Sequence, residues 1–156
     1  MTANDLTDAG FAVRRPSFLI LVMISAIGPL ALNIFMPSMP GLQTTFGVSY
    51  GIVQLTLTLY LIGMAVCQLF YGPMSDRLGR RPLLLFGLSL FVVASLLAAA
   101  APNIETLIAA RLLQAIGGAA GIVLARAMVR DVYDREKSAS VIAYVTMAFV
   151  VAPMVA

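Results

Sequence analysis

Residues 72–81 read Gly72-Pro-Met-Ser-Asp-Arg-Leu-Gly-Arg-Arg81. One acid stands among three arginines here, between two long apolar runs, about Ser49 to Tyr71 and Pro82 to about Ala101. Each run has about the 20 residues that cross a hydrocarbon core of about 30 Å at 1.5 Å per residue. The stretch therefore reads as a charged loop between two transmembrane helices. Gly72 permits close helix approach, Pro73 ends the hydrogen-bond ladder, Gly79 permits a left-handed turn, and Pro82 can open the next helix because a first-turn N–H needs no partner.

The same pattern repeats outward. A polar head, residues 1–15, precedes a first run from about Pro16 to Met36, too long for the 7–15-residue core of a cleaved signal. Gly28-Pro29 predicts a kink within it, and Pro37-Ser-Met-Pro-Gly41 its end. Asn103 and Glu105 favour the start of a fourth helix, residues 104–125, and a fifth run covers residues 138–156. The expected class is an all-α membrane protein. Of the 156 residues 61% are hydrophobic and 11% charged, against roughly 45–50% and about 25% in soluble domains.

Composition narrows the chemistry. Histidine is absent and Cys67 is the single cysteine, so the chain has no internal disulfide, no zinc or iron–sulfur ligand set and no histidine catalysis. No enzyme activity and no cofactor are expected. The net charge of +3 sits between apolar runs and speaks for membrane topology rather than nucleic acid. Nine basic residues (Arg14, Arg15, Arg77, Arg80, Arg81, Arg126, Arg130, Arg135 and Lys137) fall on one side if the helices alternate, and the two opposite loops carry none. The positive-inside rule places that side, with the N-terminus, in the cytoplasm.

The tenth basic residue, Arg111, lies within the fourth run, where its charge costs about 2.5–3.5 kcal/mol on insertion scales. Arg111, Gln114, Gly118 and Gly121 recur at helical spacing and share a face, and Gly117 with Gly121 forms a small-x-x-x-small pair for close helix packing. That face cannot meet lipid, and it reads either as functional or as a tie between helices. Asn33 and Ser38 near the outer end of the first helix, with Gln54, Thr58 and Gln68 on the second run, read equally as cavity lining or as interhelical hydrogen bonding worth about 0.6 kcal/mol on average.

Residues 72–81 resemble the signature loop of the major facilitator superfamily, G-x-x-(S/A)-D-R-x-G-R-(R/K), at every fixed position. Arg111-Leu-Leu-Gln-Ala-Ile-Gly-Gly-Ala-Ala120 is similar to its second signature, R-x-x-Q-G-x-G-A-A, with Ala115 at the usual first glycine. The end, Ala152-Pro153-Met154-Val155-Ala156, looks like the approach to a fifth-helix signature of the antiporters. The stretches 34–40, 54–60 and 68–77 resemble the bicyclomycin/chloramphenicol-resistance branch of the drug/proton antiporters, although Asn33 stands where members often have an acid.

The resemblance implies a twelve-helix fold of two six-helix halves, of which this chain would supply helices one to four and most of five, about two-fifths of a transporter. It implies proton-driven efflux of small amphipathic drugs across a bacterial inner membrane, with the bilayer, a small-molecule substrate and the remaining helices of the transporter as partners. It further implies a conformational latch at Gly72, Asp76, Arg77, Gly79, Arg80 and Arg81, to which facing charge adds Asp131. A coupling role at Arg111 follows from the same resemblance. The rival expectation is a small membrane interaction protein that associates with other helices without transporting.

Overall fold

A computed structural model describes residues 18–132, with side chains from 20 to 130. Four helices follow one another: α1 (Phe18–Phe46), α2 (Tyr50–Leu78), α3 (Arg80–Ala99) and α4 (Ile104–Val132). All four are long and apolar enough to cross a membrane. The fifth run and Arg135 and Lys137 lie outside the described residues.

The expected ends of the spans are too short. α1 runs ten residues past Met36, through Pro37 and Pro40, and α2 continues through Pro73 to Leu78. A proline removes one donor and crowds the carbonyl four residues back, but in a membrane helix neighbouring groups or water can take that carbonyl. Helices of 29 residues also outrun a hydrocarbon core of about 30 Å at 1.5 Å per residue. The chain turns where glycine allows it instead. Gly47 has φ +62°, and the Val48 N–H donates to the Gln43 carbonyl over 3.3 Å, the six-to-one bond of a Schellman ending. Gly79 (φ +86°) is the single residue between α2 and α3. α3 begins at Arg80, two residues ahead of Pro82, which still sits in the first turn where its missing N–H costs nothing.

α4 extends to Val132, so Arg126 and Arg130, expected in a loop, are helical and exposed. Its start follows the expectation: Asn103 Oδ1 accepts from the Thr106 N–H at 2.8 Å, and the Asn103 carbonyl accepts from the Leu107 N–H at 3.1 Å.

α4 is the central element and packs on all three others, whereas α1 and α3 do not approach each other. Its small residues explain this. Ala115, Ala119, Ala120 and Ala125 are buried, and Gly87 of α3 touches Ala120. Without a hydrophobic drive between helices in lipid, such van der Waals contact carries the association. The glycines do not form one packing pair as expected. A Cβ on Gly117 would lie 2.6 Å from the Gly87 carbonyl oxygen of α3, whereas one on Gly121 would lie 2.7 Å from the Ile24 carbonyl oxygen of α1. Gly118 lies between, 3.3 Å from the Tyr60 hydroxyl of α2 by the same measure. One five-residue stretch of α4, Gly117 to Gly121, thus seats three helices.

Candidate functional site

Arg111 stands two turns into α4, on the face turned toward α1 and α3. Its Nη1 donates to Gln114 Oε1 at 2.8 Å, Gln114 Nε2 donates to Ser95 Oγ at 2.7 Å, and the Ser95 hydroxyl donates to the Phe91 carbonyl at 2.7 Å. The chain of donors therefore runs from a guanidinium on α4 to the backbone of α3. The guanidinium carbon lies 3.9 Å from the centroid of the Phe35 ring on α1 and 5.9 Å from that of Tyr60 on α2. The Tyr60 hydroxyl donates to the Gly28 carbonyl at 3.1 Å. The carbonyl that Pro29 frees is that of Ser25, four residues back, whereas Tyr60 binds that of Gly28, immediately before the proline.

These contacts offset the cost of the buried charge. A hydrogen bond to a charged group contributes about 1.5–3 kcal/mol and a desolvated cation–π contact up to about 2 kcal/mol, together comparable with the insertion cost. Among the described residues no acid shares in this, and Arg111 Nε has no hydrogen-bond partner. The group lines a cleft of about 360 Å³ between α1 and α3, whose other walls are mostly apolar: Ile27, Leu30, Ala31 and Ile34.

Of the residues singled out in the sequence, Arg111 and Gln114 meet. Asn33 lies half-buried on α1 and takes no part in the network. Gln54 and Thr58 are exposed on α2, where the Thr58 hydroxyl donates to the Gln54 carbonyl at 3.1 Å, and they do not line the Arg111 cleft. Phe35, Tyr60 and Ser95 were missed. Only Ser95, a polar side chain inside an apolar run, carried a signal.

The charged end around Gly79 forms a second cleft, of about 600 Å³, between α2 and α4. Asp76, Arg80, Arg126 and Arg130 line it together with Gln68 and Ser75. Arg77 and Arg81 are exposed and lie outside its lining. Gly72 is not at a close helix contact, contrary to expectation: a Cβ there meets nothing within 4 Å. Its missing side chain widens the cleft. Asp131 lies in the last turn of α4, and its side chain, which facing charge adds to the expected latch, falls outside the described residues.

Residues 20–156 match the family model described as Major Facilitator Superfamily. The chain belongs to that superfamily. It is a family of membrane transporters rather than enzymes, and the chain is a multi-pass membrane protein of it. The chain is similar to the MFS-type transporter YdgK of Bacillus subtilis (strain 168), 42% identical over 88% of this chain and 34% of the relative. It is 38% identical to multidrug resistance protein D of Escherichia coli (strain K12) over 88% of this chain and 35% of that protein. It is 39% identical to the chloramphenicol resistance protein of Pseudomonas aeruginosa over 80% of this chain and 30% of that protein. The chain thus spans about a third of the length of the curated relatives it matches.

Proposed function

We propose that this chain works as part of a secondary active exporter, in which a proton gradient drives small amphipathic compounds out across a bacterial inner membrane. The observation that carries the reading is Arg111: a charge kept within a span, held by three other helices, in a chain similar to multidrug and chloramphenicol resistance proteins. A guanidinium does not release its proton, so Arg111 acts on a partner. A fixed positive charge holds a nearby acid ionised until a substrate or a helix movement changes their separation. Such an acid, from outside residues 18–132, would find a ready donor in the Arg111 Nε–H.

The Gly79 end is the cytoplasmic side in this reading, and its charges form a latch. Arg80 pairs with Asp131 in one conformational state, with Asp76 beside them. A double-mutant cycle on Arg80→Ala and Asp131→Ala, read by transport, gives a non-additive loss if they pair, and strict additivity removes the pair from the account.

The whole reading is tested in cells expressing the gene in full and loaded with a fluorescent amphipathic dye. Efflux above the empty-vector rate that collapses on adding a protonophore is expected. Efflux indifferent to the protonophore, or none above the vector, contradicts it.

A further inference from the structure

Two constraints of different kinds hold the Arg111 guanidinium. Phe35 lies against its face, with the guanidinium carbon 3.9 Å from the ring centroid. Such a contact fixes the plane of a flat group but leaves it free to turn within that plane. The turn is fixed at one edge, where Nη1 donates to Gln114 Oε1 at 2.8 Å. The direction of the Nε–H, which has no hydrogen-bond partner, follows from the two together.

Gln114 can serve Arg111 in one orientation only. Arginine donates and never accepts, so the amide must turn its oxygen to the guanidinium and its nitrogen away. That nitrogen then needs an acceptor, because Gln114 is 6% exposed and a buried donor left unpaired is costly. Ser95 Oγ on α3 supplies one at 2.7 Å, across a separation of 19 residues. The single proton of Ser95 is committed to the Phe91 carbonyl four residues back, at 2.7 Å, which leaves its oxygen to accept. Polarity therefore runs one way, from a group that only donates to a carbonyl that only accepts.

A serine bonded to its own helix is ordinarily a polar side chain kept satisfied in an apolar segment. Here the same hydroxyl has a second bond to another helix. We propose that Ser95 is a positioning residue: it locks the Gln114 amide and thereby sets the direction in which the Arg111 Nε–H points. In this way α3, which does not touch α1, aims a charge that α1 covers. The consequence for transport rests on the efflux reading, in which that N–H serves an acid, whereas the relay itself does not.

Threonine and valine at position 95 separate this role from packing. They have nearly the same shape, and only threonine keeps a hydroxyl that reaches the carbonyl four residues back in a helix. Ser95 lines the Arg111 cleft, so the added methyl meets space in both. Efflux driven by an imposed pH gradient is measured in cells expressing the gene in full, at matched membrane levels. Ser95→Val is expected to be about fivefold slower than Ser95→Thr. Equal rates in the two variants would leave Ser95 a space-filling residue and overturn the proposal. Heat unfolding of the purified protein in detergent reads the relay without transport. Ser95→Val is expected to unfold at a lower temperature than Ser95→Thr. Adding Arg111→Leu to both is expected to shrink that gap to about half or less, because an amide released from Arg111 can turn to another partner. A gap that Arg111→Leu leaves unchanged would mean that the hydroxyl does not reach the guanidinium, and would overturn the proposal as well. Absence of gradient-driven efflux from the unaltered protein would sink the efflux reading alone, and the unfolding gap then decides the relay by itself.

Discussion

The Arg111 guanidinium stacks on the Phe35 ring, 3.9 Å from its centroid, so a residue of α1 covers the charge that α4 carries. Phe35 is itself buried. Phe35→Leu therefore removes both packing and the cation–π contact and is expected to cost about 1–2 kcal/mol. Thermal unfolding in detergent measures it, with Phe35→Tyr close to the unaltered protein. The same change in an Arg111→Leu background should cost clearly less. Equal costs in the two backgrounds would mean that ring and charge do not interact.

Packing around α4 yields an ordered series. A Cβ on Gly117 meets backbone at 2.6 Å, which yields only if α3 moves, whereas on Gly118 its nearest neighbours are at 3.3 and 3.4 Å. Gly117→Ala is expected to destabilise by about 1–3 kcal/mol and Gly118→Ala by less. Gly41→Ala, where a Cβ meets nothing within 4 Å, should be neutral or stabilising. Loss of helical signal on heating ranks the three, and a Gly117→Ala protein as stable as Gly41→Ala would contradict the packing.

The spans were legible because hydropathy is a local property. The cap at Asn103 was legible for the same reason, since its partner is three residues away. Helix ends at Pro37, Pro40 and Pro73 were not, because whether a proline stops a helix depends on what satisfies the freed carbonyl. Arg111 declared itself by its cost, but its cover did not. Phe35 is one apolar residue in an apolar run, and only the crossing of α1 with α4 makes it a neighbour. Likewise the spacing of Gly117 and Gly121 promised a close contact without saying that they seat different helices.

The proposed sidedness has a direct test, because the structure puts Phe46 at the end of α1 and Gly79 at the break after α2. A phosphatase fused after Phe46 is expected to be active and one fused after Gly79 inactive. Activity from the Gly79 fusion would invert the orientation and place the arginine-lined cleft on the outer side.

The central claim is that Arg111 couples the proton gradient to efflux rather than merely holding helices together. Arg111→Lys keeps the charge and loses the fork that serves Gln114, so it should retain expression and impair driven efflux. Arg111→Leu should insert at least as readily, since leucine is favoured where arginine is costly. The deciding measurement is the dye-efflux rate of Arg111→Leu as a function of an imposed pH gradient, at membrane levels matched to the unaltered protein. The account predicts a rate that no longer rises with the gradient. A rate that rises as in the unaltered protein would contradict it and leave Arg111 a packing residue.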